Sequence, residues 1–349
     1  MITLSVPGME VDFDPSLGIV TALRVEDGGR ILSPLHRAPW VGLEDMPPGT
    51  DPHLAKLGGD FFCAPFGADD NGSGLHGWPP NSAWKVIDQT DGFLRARLIR
   101  RVKGATLTKE LRLHPPFLLQ RHIFEGGAGE VPVSNHANVA LPQGGLIATS
   151  RKSRWETPAS APEPDPARGR SCLAYPAKAE DPSQFPGRDG PVDLTTYPWG
   201  PAHEDFAIGI EAETALGWTA VSRLGQADAF LSLRDPRQLP MTMLWHSNGG
   251  RDYAPWSSRH TGCLGIEEGA AGHMRAEPGP PALTLGGAHH IDHCIGAIAW
   301  PEGERVEAVS KDKGGLVVTG TRGTSRVLHR PKTSANRDYV KLEPPQRLT

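Results

Sequence analysis

The sequence predicts an all-β protein built as a large antiparallel β-sandwich, and three observations support this. Short apolar runs alternate with polar residues at the period of two that half-buried strands show; examples are GIVTALRV, FLRARLIRRV, ATLTKELRL, FAIGIEAE, GWTAVSRL, AFLSLRD and CIGAIAW. The 41 glycines and 34 prolines separate these runs, as turns between strands require. Almost no segment keeps the spacing of apolar residues that an amphipathic helix of about 11 residues needs. Many short strands of this kind pack as a sandwich or barrel.

Composition restricts the class of protein and of partner. The chain has 349 residues, of which 38% are hydrophobic and 22% charged, which is ordinary for a soluble globular protein. A formal net charge of -4 gives no reason to expect nucleic acid or an anionic membrane as partner, and no run approaches the roughly 20 apolar residues of a membrane span. The N-terminus alternates like a strand and does not resemble a secretory signal. We therefore expect a cytoplasmic location, and a homodimer is compatible with the sequence.

The domain organisation follows from where the strand-like runs stop. We expect one sandwich domain over residues 1–325 and a basic, proline-rich C-terminal extension over residues 326–349. The stretch 157–193 is rich in proline, glycine and charge, but strand-like segments flank it on both sides. We interpret it as an elaborated loop over one face of the domain.

Neither the cysteines nor a histidine cluster predicts a metal site. No CxxC pair occurs, and the four isolated cysteines are Cys63, Cys172, Cys263 and Cys294. We expect free thiols and no zinc site of the thiolate type. In HHIDH, residues 289–293, a strand would turn the first and last histidines to one side and His290 and Asp292 to the other. No single face then offers three ligands, so we expect no metal and no cofactor.

Two loop motifs carry histidines that are candidates for chemistry. In LHGWPPNSAW, residues 75–84, His76 precedes a glycine that permits a tight turn, and Trp78 offers a flat face for a sugar ring. In VSNHANVALP, residues 133–142, His136 lies between two asparagines that can fix the tautomer of its imidazole. Either histidine alone is equally compatible with a solvated turn.

The densest polar and aromatic cluster is LWHSNGGRDYAPWSSRHTGCLGIEEG, residues 244–269. Aromatic side chains interleaved with asparagine and arginine suit a carbohydrate pocket, because the rings stack on C–H faces while the polar groups bind hydroxyls. The cluster ends in a hydrophobic strand that finishes on two acids, Glu267 and Glu268.

Four of these pieces, taken in order, resemble the aldose 1-epimerase (galactose mutarotase) family. They are HGWPPN, NHANVAL, HEDF and CLGIEE, and the resemblance extends over residues 58–269. It implies a single large galactose mutarotase-like β-sandwich of antiparallel strands, which holds a small-molecule sugar in an open cleft on one concave face. It also implies interconversion of sugar anomers by ring opening and closure without a cofactor.

The resemblance assigns a role to each matching residue. Glu267 falls on the base that takes the proton from the anomeric hydroxyl, and His136 falls on the acid that protonates the ring oxygen. Such a pair needs an ionised glutamate and a protonated histidine about one sugar ring apart. His76 falls on a second histidine at the sugar, and Asp205 on a hydroxyl-binding aspartate. The predicted binding surface also includes Asn81, Trp78, Asn248, Arg251 and Trp256. Glu268 would point to the opposite side of the strand as a structural or solvated residue.

The sequence departs from the family pattern in its arginines, and it leaves other functions open. Pro80 stands where an arginine usually precedes the asparagine, and an upstream sugar-binding arginine has no counterpart unless Arg251 or Arg259 replaces it. One alternative is a carbohydrate-binding protein without turnover. Another is a hydrolase or lyase, in which Asp205 and Glu267 would flank one bond about 5–9.5 Å apart.

Overall fold

The computed structural model describes residues 1–42, 46–68, 72–271, 281–312 and 315–329 and confirms the all-β prediction. The described residues form one short α-helix, α1 (Pro52–Ala55), and one 3₁₀ turn (Pro182–Gln184). No helix among them is long and apolar enough to cross a membrane. Everything else of regular structure is strand.

In chain order the strands are β1 (Ile2–Val6), β2 (Met9–Asp14), β3 (Ile19–Asp27), β4 (Arg30–Leu32), β5 (Asp60–Cys63), β6 (Trp84–Thr90), β7 (Phe93–Leu98), β8 (Ala105–His114), β9 (Phe117–Val131), β10 (Val133–Ala140), β11 (Gly145–Thr149), β12 (Lys152–Glu156), β13 (Lys178–Ala179), β14 (Thr196–Tyr197), β15 (His203–Glu211), β16 (Gly217–Arg223), β17 (Asp228–Arg234), β18 (Met241–Asn248), β19 (Cys263–Ala270), β20 (Leu283–Ala299), β21 (Val306–Asp312), β22 (Gly315–Gly320) and β23 (Ser325–His329).

Two large sheets and one small sheet contain these strands. The first sheet has 11 strands in the order β1-β2-β3-β5-β10-β19-β18-β15-β12-β13, with β4 paired to β3. The second has nine strands in the order β14-β11-β16-β17-β20-β9-β8-β7-β6, and the small sheet is β21-β22-β23. Each neighbouring pair within the first sheet is antiparallel. A chain rich in turn residues produces this arrangement because antiparallel neighbours need only short connections.

The central strands of the first sheet are buried on both faces. Its inner face packs against the second sheet, since one hydrophobic cluster joins Phe62, Leu244 and Ile266 of the first sheet to Phe124 and Phe230 of the second. Its outer face carries a separate cluster with side chains from the first sheet and from the loops around it; those side chains include Phe61, Phe66, Phe206, Met243, Trp245, Cys263, Trp40 and Trp256. Loops therefore cover the outer face of these strands and shield it from solvent.

The proline-rich stretch 157–193 and the C-terminal region are tied into this framework. Leu173 and Phe185 of the stretch are fully buried in the inner cluster. The strand that begins at Ser325 pairs with β22 along its length, so the first residues of the predicted extension belong to the small sheet. Residues 330–349 lie outside the described part of the chain.

A charged network crosses the space between the two sheets at the end of β19. Glu268 is fully buried and lies 2.8 Å from Arg234 Nη1. Its carboxylate also accepts hydrogen bonds from Thr219, at 2.6 Å, and Thr242, at 2.8 Å. Arg234 in turn pairs with Glu211. Glu268 is thus the structural acid of the doublet, because its charge is matched and its oxygens have partners.

We predict that Glu268→Gln lowers the free energy of unfolding by about 3–5 kcal/mol, because it leaves two buried cations, Arg234 and Lys152, with only the carboxylate of Glu211 to balance them. Urea unfolding at neutral pH measures the change. The control is Glu125→Gln in β9, where the side chain is exposed and the expected change is below about 0.5 kcal/mol. Equal effects of the two substitutions would contradict a structural role for Glu268.

Buried histidines are unusually numerous in this fold. Burial lowers the pKa of seven histidines that are almost fully enclosed, namely His53, His76, His122, His136, His246, His260 and His293. His122 shows the reason most simply: it stacks face-on against Phe62 at 3.8 Å, and neither ring nitrogen has a hydrogen-bond partner among the described residues. Burial therefore favours the neutral form of these rings in the folded protein.

We predict that acid destabilises the protein well above the pH at which its carboxylates titrate. A histidine whose folded pKa is lowered stabilises the fold above its unfolded pKa, about 6.5, and this contribution is lost as pH falls toward the folded value. Each fully buried histidine then contributes up to about 1.4 kcal/mol per pH unit to the slope. The free energy of unfolding, measured with urea at several values between about pH 7.5 and 4.5, should fall as the pH falls, with a slope that corresponds to the uptake of several protons on unfolding.

A matched pair of variants assigns this slope to the buried rings. His122→Phe keeps the stacked aromatic and should reduce the proton uptake on unfolding by about one proton. His290→Gln removes a histidine whose side chain is half exposed, 52%, and should leave the slope unchanged. A stability that is flat between about pH 6.5 and 5 would contradict the prediction.

Candidate functional site

The two predicted catalytic residues meet directly on the outer face of the first sheet. In the antiparallel register of β10 and β19, His136 is the cross-strand partner of Glu267. Side chains of directly opposed residues leave the sheet on the same face, and Nε2 of His136 lies 3.1 Å from Oε1 of Glu267. The sequence-based expectation of a shared face agrees with this geometry. The expected separation of a sugar ring does not, because the register brings the two groups into contact.

Rings enclose the pair on the His136 side. Phe61 of β5, which is the cross-strand partner of His136 on its other edge, stacks on the imidazole with centroids 4.5 Å apart. The His76 ring meets His136 edge-on at 5.3 Å, and the Trp245 ring meets it edge-on at 6.0 Å. His136 and Glu267 are only 3% and 1% exposed. The pair is thus held in a dry, aromatic environment.

The loop of residues 72–82 places His76 beside this pair. His76 has a positive φ of 68° and Gly77 one of 74°, and a Cβ at Gly77 would lie 2.2 Å from the carbonyl oxygen of Ala64. Only glycine therefore permits the turn that follows His76. Asn81 fastens the loop: its amide donates to Leu75 O and Gly77 O, and its oxygen accepts from His53 N and contacts His53 Nδ1 at 2.9 Å. The side-chain amide of Asn81 therefore holds the loop together, whereas the sequence predicted that it binds substrate.

Glycine also makes room for the carboxyl group in β19. Gly265 lies two residues before Glu267 on the same face of the strand. A Cβ at this position would lie 3.0 Å from Cβ of Trp245 and 3.1 Å from Oε1 of Glu267. The glycine in CLGIEE lets the carboxyl group fold back over the strand next to the indole.

Burial sets the protonation of the pair. It raises the pKa of the Glu267 carboxyl group well above its usual value and, with a smaller contribution from His53, lowers the pKa of His136 to about 3. Both shifts favour the uncharged forms, so burial favours a single shared proton that is held on Glu267. The sequence predicted an ionised glutamate and a protonated histidine. Full burial reverses that order, because removing two charges from water costs more than their attraction returns.

Strand parity separates Asp205 from the pair. In the register of β15 and β18, Asp205 is opposite His246 and Phe206 is opposite Trp245; Trp245 shares the face of Glu267, so Asp205 points to the inner face. There its carboxylate accepts from Cys172 N, Leu173 N and the Tyr175 hydroxyl group at 2.9–3.1 Å. The prediction that Asp205 binds substrate does not fit this placement, and a hydrolase pair of Asp205 with Glu267 does not fit it either.

Glu204 is the acid that HEDF presents to the outer face. Its Oε1 accepts from Trp245 Nε1 at 2.6 Å and from Arg251 Nη2 at 2.8 Å. Arg251 also lies over the ring of Trp256, 4.5 Å from its centroid. Arg251 and Trp256 are therefore both on the predicted face, but Glu204 neutralises the guanidinium that was expected to bind sugar.

The other two predicted binding residues lie elsewhere. Trp78 packs against the cluster between the sheets, and Arg100 covers its ring at 4.9 Å. The amide of Asn248 donates to Gly200 O at 2.7 Å and its oxygen lies 3.3 Å from Gly262 N, which holds the loop before β19. Neither side chain is brought to the His136–Glu267 pair.

The sequence predictions did not include Phe61, His53 and Glu204, all of which bear on the site, whereas Trp245 lies in the cluster of residues 244–269 that was predicted to suit a carbohydrate pocket. HEDF contains two acids, and only the pairing of β15 with β18 fixes which of them shares the face of Trp245. Phe61 and His53 gave no signal, since their contacts with His136 and His76 depend on pairings between segments far apart in the chain.

Comparison with known proteins bears on the fold alone. No family model and no curated protein matches the sequence. Among solved structures, a galactose mutarotase-like protein from Lactobacillus casei aligns with a TM-score of 0.57 at 11% identity, over 85% of this chain and 99% of that chain. A galactose mutarotase related enzyme from Lactobacillus acidophilus aligns at 0.52 and 11%, over 86% and 98%.

An aldose epimerase homologue from C. elegans gives a TM-score of 0.55 at 10% identity, over 86% of this chain and 98% of that chain. These alignments extend over almost the whole of each solved structure, although few residues are identical. The chain therefore has the galactose mutarotase-like β-sandwich fold.

Proposed function

We propose that the protein interconverts the anomers of an aldose or a sugar derivative by acid–base ring opening and closure. One observation carries the proposal: an acid and a base lie 3.1 Å apart, side by side on one buried face. Mutarotation needs one proton removed from the anomeric hydroxyl group and one delivered to the ring oxygen. Because both oxygens are bonded to the same carbon, neighbouring protein groups reach both.

The proton count of the pair suits this reaction. Ring opening takes the proton of the anomeric hydroxyl into the pair and gives the proton of the pair to the ring oxygen, so that one proton remains with the two side chains throughout. Glu267 is proposed as the base toward the anomeric hydroxyl and His136 as the acid toward the ring oxygen. To do this, the proton that rests on Glu267 first passes to Nε2 of His136 across the 3.1 Å contact, and the substrate then separates the carboxylate from the imidazolium.

Other features of the site support a sugar as the substrate. Oε2 of Glu267 and Nδ1 of His76 are buried and have no hydrogen-bond partner among the described residues, so both remain for hydroxyl groups. Phe61 and Trp245 offer apolar ring faces beside them, which suits the C–H faces of a pyranose. For the substrate to enter, the direct contact of His136 with Glu267 has to open.

The test is exchange between anomers, followed by NMR over a panel of aldoses. We expect the wild-type protein to accelerate exchange of at least one sugar, and Glu267→Gln and His136→Asn each to lower kcat/KM by at least about 10²-fold. Glu125→Gln and His290→Gln, in the second sheet, are the matched controls. Far-UV circular dichroism and urea unfolding verify that each variant is folded.

The outcomes separate the candidate functions. Acceleration that survives both substitutions would eliminate the acid–base mechanism. Measurable binding of a sugar without acceleration for any member of the panel would replace the enzyme with a carbohydrate-binding protein on the same fold.

The pH profile gives an independent prediction. An unperturbed histidine–glutamate pair would lose its shared proton above about pH 6.5. Here burial raises the pKa of Glu267 well above its usual value, which moves the loss of the shared proton to higher pH. We expect kcat/KM to stay level from about pH 6.5 to 7.5, at fixed ionic strength. A fall through a pKa near 6.5 would contradict the neutral pair.

A further inference from the structure

We propose that His36, His260 and Cys263 form a three-ligand site for a zinc-class divalent cation on the outer face of the first sheet. One donor atom from each residue, an imidazole nitrogen from each histidine and the thiol sulfur, lies within 4.8 Å of the other two. In a tetrahedral zinc site with bonds of about 2.0–2.3 Å, neighbouring donors are roughly 3.3–3.8 Å apart. Shifts of about 1 Å would therefore close the cluster on an ion.

Two unpaired nitrogens point to a ligand. Nε2 of His36 and Nε2 of His260 are buried, and neither has a hydrogen-bond partner among the residues that the structure describes. His260 is only 1% exposed. A buried polar atom without a hydrogen-bond partner lowers the stability of the fold. One metal ion bound by both nitrogens would supply a partner to each of them.

The surrounding hydrogen bonds favour the correct tautomer. Nδ1 of His260 lies 2.7 Å from the Ser247 hydroxyl group, so a proton on Nδ1 leaves the lone pair of Nε2 free. Ser247 is itself the cross-strand partner of Cys263. This is the pattern in which a second hydrogen bond orients a metal-binding imidazole.

The backbone fixes all three residues in place. The N–H of His36 donates to Asn138 O, and the carbonyl oxygen of His36 accepts from Gly59 N, both at 2.8 Å. The carbonyl oxygen of His260 accepts from Gly249 N at 2.7 Å. Cys263 is the first residue of β19, and its N–H donates to the Tyr197 hydroxyl group at 2.9 Å.

The chemistry of the donors selects the ion. Two imidazoles and one thiolate suit zinc and its neighbours in the transition series, whereas magnesium and calcium prefer oxygen. The cation displaces the thiol proton of Cys263 into solvent, and a water molecule fills the fourth position.

A second cluster of possible ligands, Cys172, His203 and Asp205, is a weaker candidate. Asp205 already accepts from two backbone N–H groups and a hydroxyl group. His203 uses both nitrogens, one near Asp205 at 3.1 Å and the other as acceptor from Trp199 N at 3.3 Å. These groups are satisfied without an ion.

The test uses the full chain, stripped with a chelator and titrated with Co²⁺ and then with Zn²⁺. We expect one equivalent of Co²⁺, a near-ultraviolet charge-transfer band from the thiolate, its loss when Zn²⁺ displaces Co²⁺, and a higher melting temperature with Zn²⁺. Cys263→Ser should abolish the band, and Cys294→Ser, a buried cysteine outside both clusters, should retain it.

His36→Gln keeps the test decisive if Cys263→Ser fails to fold, because His36 lies in a loop at the edge of the cluster. This variant should weaken Co²⁺ binding at least about 10-fold. The absence of a thiolate band in the wild-type protein, or a band that Cys172→Ser removes and Cys263→Ser does not, would overturn the proposal. Neither result depends on whether the His136–Glu267 pair converts sugars.

Discussion

The antiparallel register of β10 with β19 is the constraint on which the rest of the structure depends. It places His136 directly opposite Glu267, and with the alternation of a strand it also fixes which way every neighbour points. Glu267 joins the aromatic outer face, while Glu268 enters the space between the sheets and meets Arg234. A slip of one residue would exchange the two acids, which would leave a guanidinium without its partner and remove the base from its histidine. The structural ion pair therefore protects the register that forms the candidate site.

The protonation states of the histidines and of Glu267 on the outer face are determined by burial under the surrounding loops and not by attraction between charges. Trp40 and Trp256 of the loops lie against His260, and Phe61, His76 and Trp245 surround His136, so both imidazoles are removed from water. Attraction between His136 and Glu267 favours an ion pair, but at full burial desolvation outweighs it. Burial therefore favours neutral imidazoles and a neutral carboxylic acid on this face. Transfer of the proton from Glu267 to His136 leaves the net charge of the pair unchanged, and the burial that favours the neutral forms is gained at the expense of stability in acid.

The fold could be predicted from the sequence, but only part of the arrangement of the candidate site could. Period-two alternation and the density of glycine and proline indicate an antiparallel sandwich or barrel, and the family resemblance favours the sandwich. His136, His76 and Glu267 were proposed together because short local motifs carry them, and the structure places them side by side. Asp205 was misplaced relative to its neighbour Glu204 because the motif HEDF contains two acids and gives no parity until β15 is paired with β18. The prediction placed Trp78 at the substrate, but the structure packs it against the cluster between the sheets. The path of the whole loop decides which cluster a loop tryptophan joins, and the sequence does not reveal that path.

The same strand parity connects the His136–Glu267 pair to the proposed cation site. Cys263, Gly265 and Glu267 occupy one face of β19, so the thiol and the carboxyl group are separated by four residues, or about 13 Å along the strand. Trp245 fills the space between them: its ring stacks on His260 at 5.4 Å and meets His136 edge-on at 6.0 Å. The indole is also held by its N–H to Glu204. A cation on His260 would immobilise one side of this indole, and a sugar beside His136 would contact the other. Both ligands would thus act on a single ring, since Gly265 leaves no side chain between the two sites.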